Sequence, residues 1–113
     1  MKLFVDDVKS PEVVACQSRF PFDPEGWTVV RTSQEALPLL ESGEVRELAL
    51  DNDMGLLSDQ DGWEIIKVLY ELVLDGMEPP NKMVCISYNP VARARIEAGF
   101  DDIRRAVGRG GEV

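Results

Sequence analysis

The chain has 113 residues, no histidine, and 21 acidic against 12 basic side chains, a formal charge of −9. That length buries the core of one domain without a disulfide or metal staple. The charge repels nucleic-acid backbones and anionic membranes, which argues against a general DNA binder.

The opening MKLFVDD has too short an apolar run for a signal peptide, and no later segment approaches the ~18 apolar residues of a membrane span, so a soluble protein is expected. Residues 2–7, KLFVDD, break from an apolar run into acids, the pattern of a strand and its carboxyl end. Ser10 then caps and Pro11 begins a short helix ending near Arg19, after which Pro21 and Pro24 make the connection irregular. Cys16 and Cys85 sit in apolar surroundings, which favours a reduced, cytoplasmic setting although two cysteines can in principle pair.

The β-branched run WTVVRT, 27–32, is a second strand. Thr32 and Glu35 form a T-x-x-E capping box that starts a helix over SQEALPLLESGE, with Leu37 and Leu40 on one face. Pro38 conflicts with that helix, because it lacks an N–H and clashes one turn back; a kink or a late start is expected.

ELALD, 47–51, is the third strand, and the loop NDMGLLSDQDG leads into a helix over WEIIKVLYELVLDG. There Ile65, Ile66, Leu69, Leu72 and Val73 follow the helical apolar stripe and belong to the core. Pro79 and Pro80 break the chain before a fourth strand, MVCISY, 83–88. Asn89 and Pro90 then open a helix over VARARIEAG that resumes, after Gly99, through DDIRRAV. The tail 108–113, GRGGEV, is expected to be disordered, leaving a single domain over 1–107. Four strands alternating with helices make an α/β three-layer sandwich, a parallel sheet of order 2-1-3-4 covered on both faces.

In a sheet of that order the connections diverge between strands 1 and 3, leaving a crevice at their carboxyl ends. Asp6 and Asp7 fall there, as do Asp51, Asn52 and Asp53. Period-two alternation along strand 4 puts Cys85, Ser87 and Asn89 on one side, so Ser87 and Asn89 border the same crevice. Carboxylates brought so close repel one another unless a cation sits between them, and hard oxygen ligands suit Mg²⁺ or another divalent cation. The simpler alternative is that strand-end Asp and Asn only cap helices and make turns; convergence of two acid clusters at the switch point favours a metal and phosphate site.

Other motifs carry less. An EF-hand reading of DNDMGLLSDQDG fails, because Leu56 stands where the loop glycine is required. Cys85 has no histidine to activate it and reads as a buried structural thiol. Trp27, Trp63 and Tyr70 read as core or rim.

VDD at 5–7, LDND at 50–53 and a serine at the end of strand 4 resemble receiver domains of response regulators. A closer likeness is to the cyclic-phosphate-processing receiver-like family, whose members show an acid pair, GW, an EAL-LL helix, LDHDLG, G-aromatic, PP and HS-NP in this order. Here these read VDD (5–7), GW (26–27), EALPLL (35–40), LDNDMG (50–55), GW (62–63), PP (79–80) and ISYNP (86–90). The resemblance implies a receiver or flavodoxin-like fold with Asp6, Asp7, Asp51 and Ser87 at its metal and phosphate centre, and the crevice acids add Asp53 to the metal set. Asp51, Asn52 and Ser87 would form the reacting centre, and Lys9, Ser87, Asn89 and Arg93 would contact phosphate. Two family histidines are replaced, by Asn52 and Ile86, so imidazole acid–base chemistry is absent. Asn52 can hydrogen-bond a phosphate but cannot shuttle a proton. Classical receivers also place a lysine on a fifth strand; this chain stops short of one, leaving Lys9 and Arg93 as substitutes, while Lys82 lies at the wrong end of strand 4.

Three functions follow from these residues. The first is a divalent-metal and phosphate site for a small phosphate ligand or the terminal cyclic phosphate of a nucleotide or RNA, weak or inactive as a catalyst. The second is an acidic, catalytically silent protein that occupies a basic site on a partner protein, as a small phage or mobile-element protein would. The third is a phosphoryl-accepting receiver with Asp51 as acceptor.

Overall fold

The computed structural model describes residues 1–17, 21–51 and 62–107. Four strands, β1 (Lys2–Val5), β2 (Trp27–Val30), β3 (Glu47–Leu50) and β4 (Lys82–Cys85), form one sheet of order β2-β1-β3-β4 with every pairing parallel. This is the expected α/β receiver-like topology. The helices are α1 (Pro11–Gln17), α2 (Ser33–Glu41), α3 (Gly62–Leu74) and α4 (Pro90–Ala106). Among the described residues no helix is long and apolar enough to cross a membrane.

Alternation along the strands sorts the core into two faces. Leu3, Val5, Leu48, Leu50, Met83 and Cys85 pack with the apolar stripes of α2, α3 and α4. Phe4, Ala49 and Ile86 face the other way and meet Val14 of α1, with Phe22, Trp27 and Val84 against them. There the stacked Phe22 and Trp27 rings lie 5.3 Å apart, each edge-on to Phe4. Among the described residues three helices thus cover one face, and one short helix with an aromatic flap covers the other.

The Thr32 cap forms as expected: its hydroxyl oxygen accepts from the Glu35 N–H at 3.2 Å. The helix begins there, at Ser33, and continues through Pro38, so the late start does not occur. Pro38 removes only one intrahelical donor, and the Leu40 and Ala36 stripe on the sheet holds the helix across it. The break expected at Gly99 is also absent, since α4 is continuous from Pro90 to Ala106. Gly99 instead lets α4 approach α3: a Cβ there would stand 2.7 Å from Ile66 Cγ2 and 3.2 Å from the Trp63 ring. The fourth strand is shorter than the 83–88 expected, ending at Cys85 and giving way to a turn before α4.

Candidate functional site

The parallel ladder runs one rung past each strand and sets the site. The Asp6 N–H donates to Val30 O at 3.2 Å, the Asp51 N–H to Val5 O at 3.0 Å, and the Ile86 N–H to Leu50 O at 3.0 Å. Asp6 and Asp51 are therefore held side by side at the carboxyl ends of β1 and β3, exposed by 0% and 5% respectively.

Asp6 divides its carboxylate between two tasks. Oδ1 accepts from the N–H groups of Val8 and Lys9, both at 2.9 Å, which shapes the turn after β1. Oδ2 points into the crevice, where the Lys9 ammonium lies at 2.8 Å as an ion pair without hydrogen-bond alignment. The same ammonium stands 3.1 Å from Asp51 Oδ2. Burial by itself would lower the Lys9 pKa, but the Asp6 and Asp51 carboxylates outweigh it and hold the ammonium above its ordinary value.

One carboxylate oxygen each from Asp6, Asp7 and Asp51 falls within a sphere of contact in which all lie within 4.8 Å of one another. Asp6 Oδ2 is buried and has no aligned donor. This set of hard oxygens, with the buried Oδ2 of Asp6 among them, could hold a metal ion. Asn52 and Asp53, the remaining expected members, lie outside the described residues.

The other expected residues are placed as follows. Ser87, 3% exposed, accepts the Asn89 N–H at 3.2 Å through Oγ. Asn89 Oδ1 accepts from Val91 and Ala92 and so caps α4. Arg93 turns towards the outer edge of β4, its guanidinium donating to Ser87 O at 3.1 Å and Cys85 O at 3.4 Å. The structure therefore gathers Asp6, Asp7, Asp51 and Lys9 into one cluster, and sets the Asn89 and Arg93 side chains to local backbone partners.

Two residues that the sequence reading passed over complete the site. Arg31, just after β2, donates through Nη1 to the carbonyls of Asp6 (3.0 Å) and Lys9 (2.6 Å), fastening the turn that carries both. Its position at the carboxyl end of the strand beside β1 was the available signal. Tyr88, half exposed, donates its hydroxyl to Gln17 Oε1 on α1 at 2.8 Å, and the Lys9 ammonium lies 4.7 Å from its ring centroid. A cleft of about 520 Å³ between β4 and α4 lies elsewhere and is lined by Arg93, Arg104, Glu97 and Asp101 among others. Volume alone does not make that cleft the better site, because the convergent buried carboxylates are in the crevice.

In a comparison with protein families, the one described as cyclic-phosphate processing Receiver domain matches residues 1–105. No curated protein and no solved structure matches the chain.

Proposed function

The chain belongs to the cyclic-phosphate processing receiver family, and from that premise we propose that its crevice binds a divalent cation and a phosphate-bearing ligand, with weak catalysis or none. The observation that carries this reading is the convergence of the Asp6, Asp7 and Asp51 oxygens around the buried, unaligned Oδ2 of Asp6.

Asp6, Asp7 and Asp51 would hold the cation, with Asp53 as a further ligand. When bound, a cation such as Mg²⁺ neutralises the carboxylates and polarises a phosphoryl oxygen. Ser87 would donate its hydroxyl proton to the phosphate while its oxygen keeps the Asn89 N–H. Lys9 pairs with the same Asp6 oxygen that the cation would take, so the two would compete for it, and the ammonium beside Asp51 would meet phosphate charge. Asn52 can orient a phosphate oxygen. With no histidine in the chain, proton transfer to a ring-opened oxygen has no imidazole to perform it, which is why catalysis is weak.

The test is an amide NMR titration with Mg²⁺ and then with a 2′,3′-cyclic nucleotide. Residues 6, 7 and 51 move with metal and residues 87–89 with nucleotide. Resonances that stay still throughout would sink this reading in favour of a metal-free, acidic interaction protein. That second reading draws on Lys9, whose ammonium pairs with both Asp6 and Asp51. A phosphoryl-accepting role for Asp51 has the Lys9 contact in its favour; an unchanged mass after incubation with a small phosphodonor and Mg²⁺ would end it.

A further inference from the structure

We propose that Tyr88 selects the ligand: its ring is the surface on which the base of a nucleotide lies while the phosphate is held at the Asp51 and Lys9 centre. This rests on the phosphate-site reading above and narrows its ligand class from any phosphate ester to one that carries an aromatic base.

The position of the ring is the first argument. One ammonium, that of Lys9, contacts both Asp51 Oδ2 at 3.1 Å and the Tyr88 ring at 4.7 Å from its centroid. A phosphate that meets Lys9 therefore has Tyr88 as its neighbour, and a group attached to that phosphate is within reach of the ring. Exposure is the second argument. The rings of Phe4, Phe22 and Trp27 pack on one another, whereas Tyr88 remains 51% exposed at the mouth of the crevice. Val8 on the β1 turn and Val91 on the first turn of α4, 78% and 80% exposed, add apolar surface at the same ends of the strands.

The third argument is rigidity. Tyr88 is held at its backbone between β4 and the capped start of α4, and at its hydroxyl by Gln17 of α1. A ring tethered by its hydroxyl loses less freedom when a base settles on it than an untethered one would, which favours stacking. A purely structural tyrosine that served only to hold Lys9 would do so equally for every phosphate, and the two roles separate on that point.

Calorimetry in the presence of Mg²⁺ would compare a nucleoside 2′,3′-cyclic phosphate with the same cyclic ribose phosphate lacking its base. The readout is the ratio of the two dissociation constants, in which any disturbance of Lys9 cancels. We expect a ratio of roughly tenfold or more in the wild-type chain, from the usual worth of base stacking, falling close to one in Tyr88→Ala and persisting in Tyr88→Phe. A ratio near one in the wild type, or one that survives in Tyr88→Ala, overturns the assignment while leaving the phosphate site standing. Failure of both probes to bind the wild type takes down the phosphate site and the assignment with it. Amide spectra of both variants confirm that the fold is kept, as expected for a side chain outside the core.

Discussion

At the carboxyl ends of β1 and β3 the ammonium of Lys9 meets two carboxylates, whereas along the outer edge of β4 the guanidinium groups of Arg93 and Arg104 meet backbone carbonyls. Both places need positive charge, for different reasons. In the crevice the charge offsets buried acids. At the edge, Lys82 and Ile86 turn their N–H groups towards β3, so the alternate residues Met83, Cys85 and Ser87 turn theirs outward, and the carbonyls of those three are the ones the arginines cover. An edge strand with no further strand beside it among the described residues is thereby blunted against pairing. The lesson is that a cation facing ions can be exchanged for another cation, while a cation facing carbonyls is committed to the fold. Lys9 and Arg93 carry the same charge and belong to different classes.

The largest effect that separates the two regions should come from Asp6→Ala. It leaves the Val8 and Lys9 N–H groups and the Lys9 ammonium without their shared partner. Loss of one member of a buried pair costs about 3 kcal/mol, measurable by urea denaturation. A loss below roughly 1 kcal/mol would place the crevice on the scale of an exposed ion pair and remove the contrast. Lys9→Met then probes exchange directly. With the internal cation gone, Mg²⁺ affinity should rise about tenfold, equivalent to ~1.4 kcal/mol, by calorimetry. Unchanged affinity would mean that Lys9 and the metal do not compete. The Lys9 pKa is raised in the fold, so its pairing contributes fully below the ordinary lysine value of 10.5 and is lost as pH rises through the folded value. The stability difference between wild type and Lys9→Met should therefore shrink above that pH.

The division between these regions was only partly legible in the residues. Alternation of apolar runs with helical stripes led to the sheet order, and the T-x-x-E pattern at Thr32 led to the start of α2, because both signals are local in sequence. The acids at 6, 7 and 51 were legible because each follows an apolar run, and the predicted parallel sheet brings those strand ends together. Gly99 and Pro38 were misread as interruptions because their effect is decided by the helix packed opposite, which local propensity does not contain. Arg93, expected at the phosphate, turns to β4 carbonyls, and Tyr88 and Arg31 were passed over. Each depends on which loop a long side chain reaches, a tertiary property with no sequence period.

The smaller effects lie at the β4 edge, and their ranking tests what the arginines do. Arg93→Ala removes donors to two carbonyls from a part-buried guanidinium and should cost about 1 kcal/mol, without altering Mg²⁺ affinity. Arg104 reaches Met83 O only at 3.5 Å, and its pair with Asp101 is about half exposed on both sides. Arg104→Ala should therefore cost roughly 0.5 kcal/mol or less. If the edge mattered only as surface charge, the two variants would be equivalent. If the carbonyls matter, Arg93→Ala is the worse of the two by urea denaturation, and it alone increases self-association seen in sedimentation, because the uncovered Cys85 and Ser87 groups are then open to another strand.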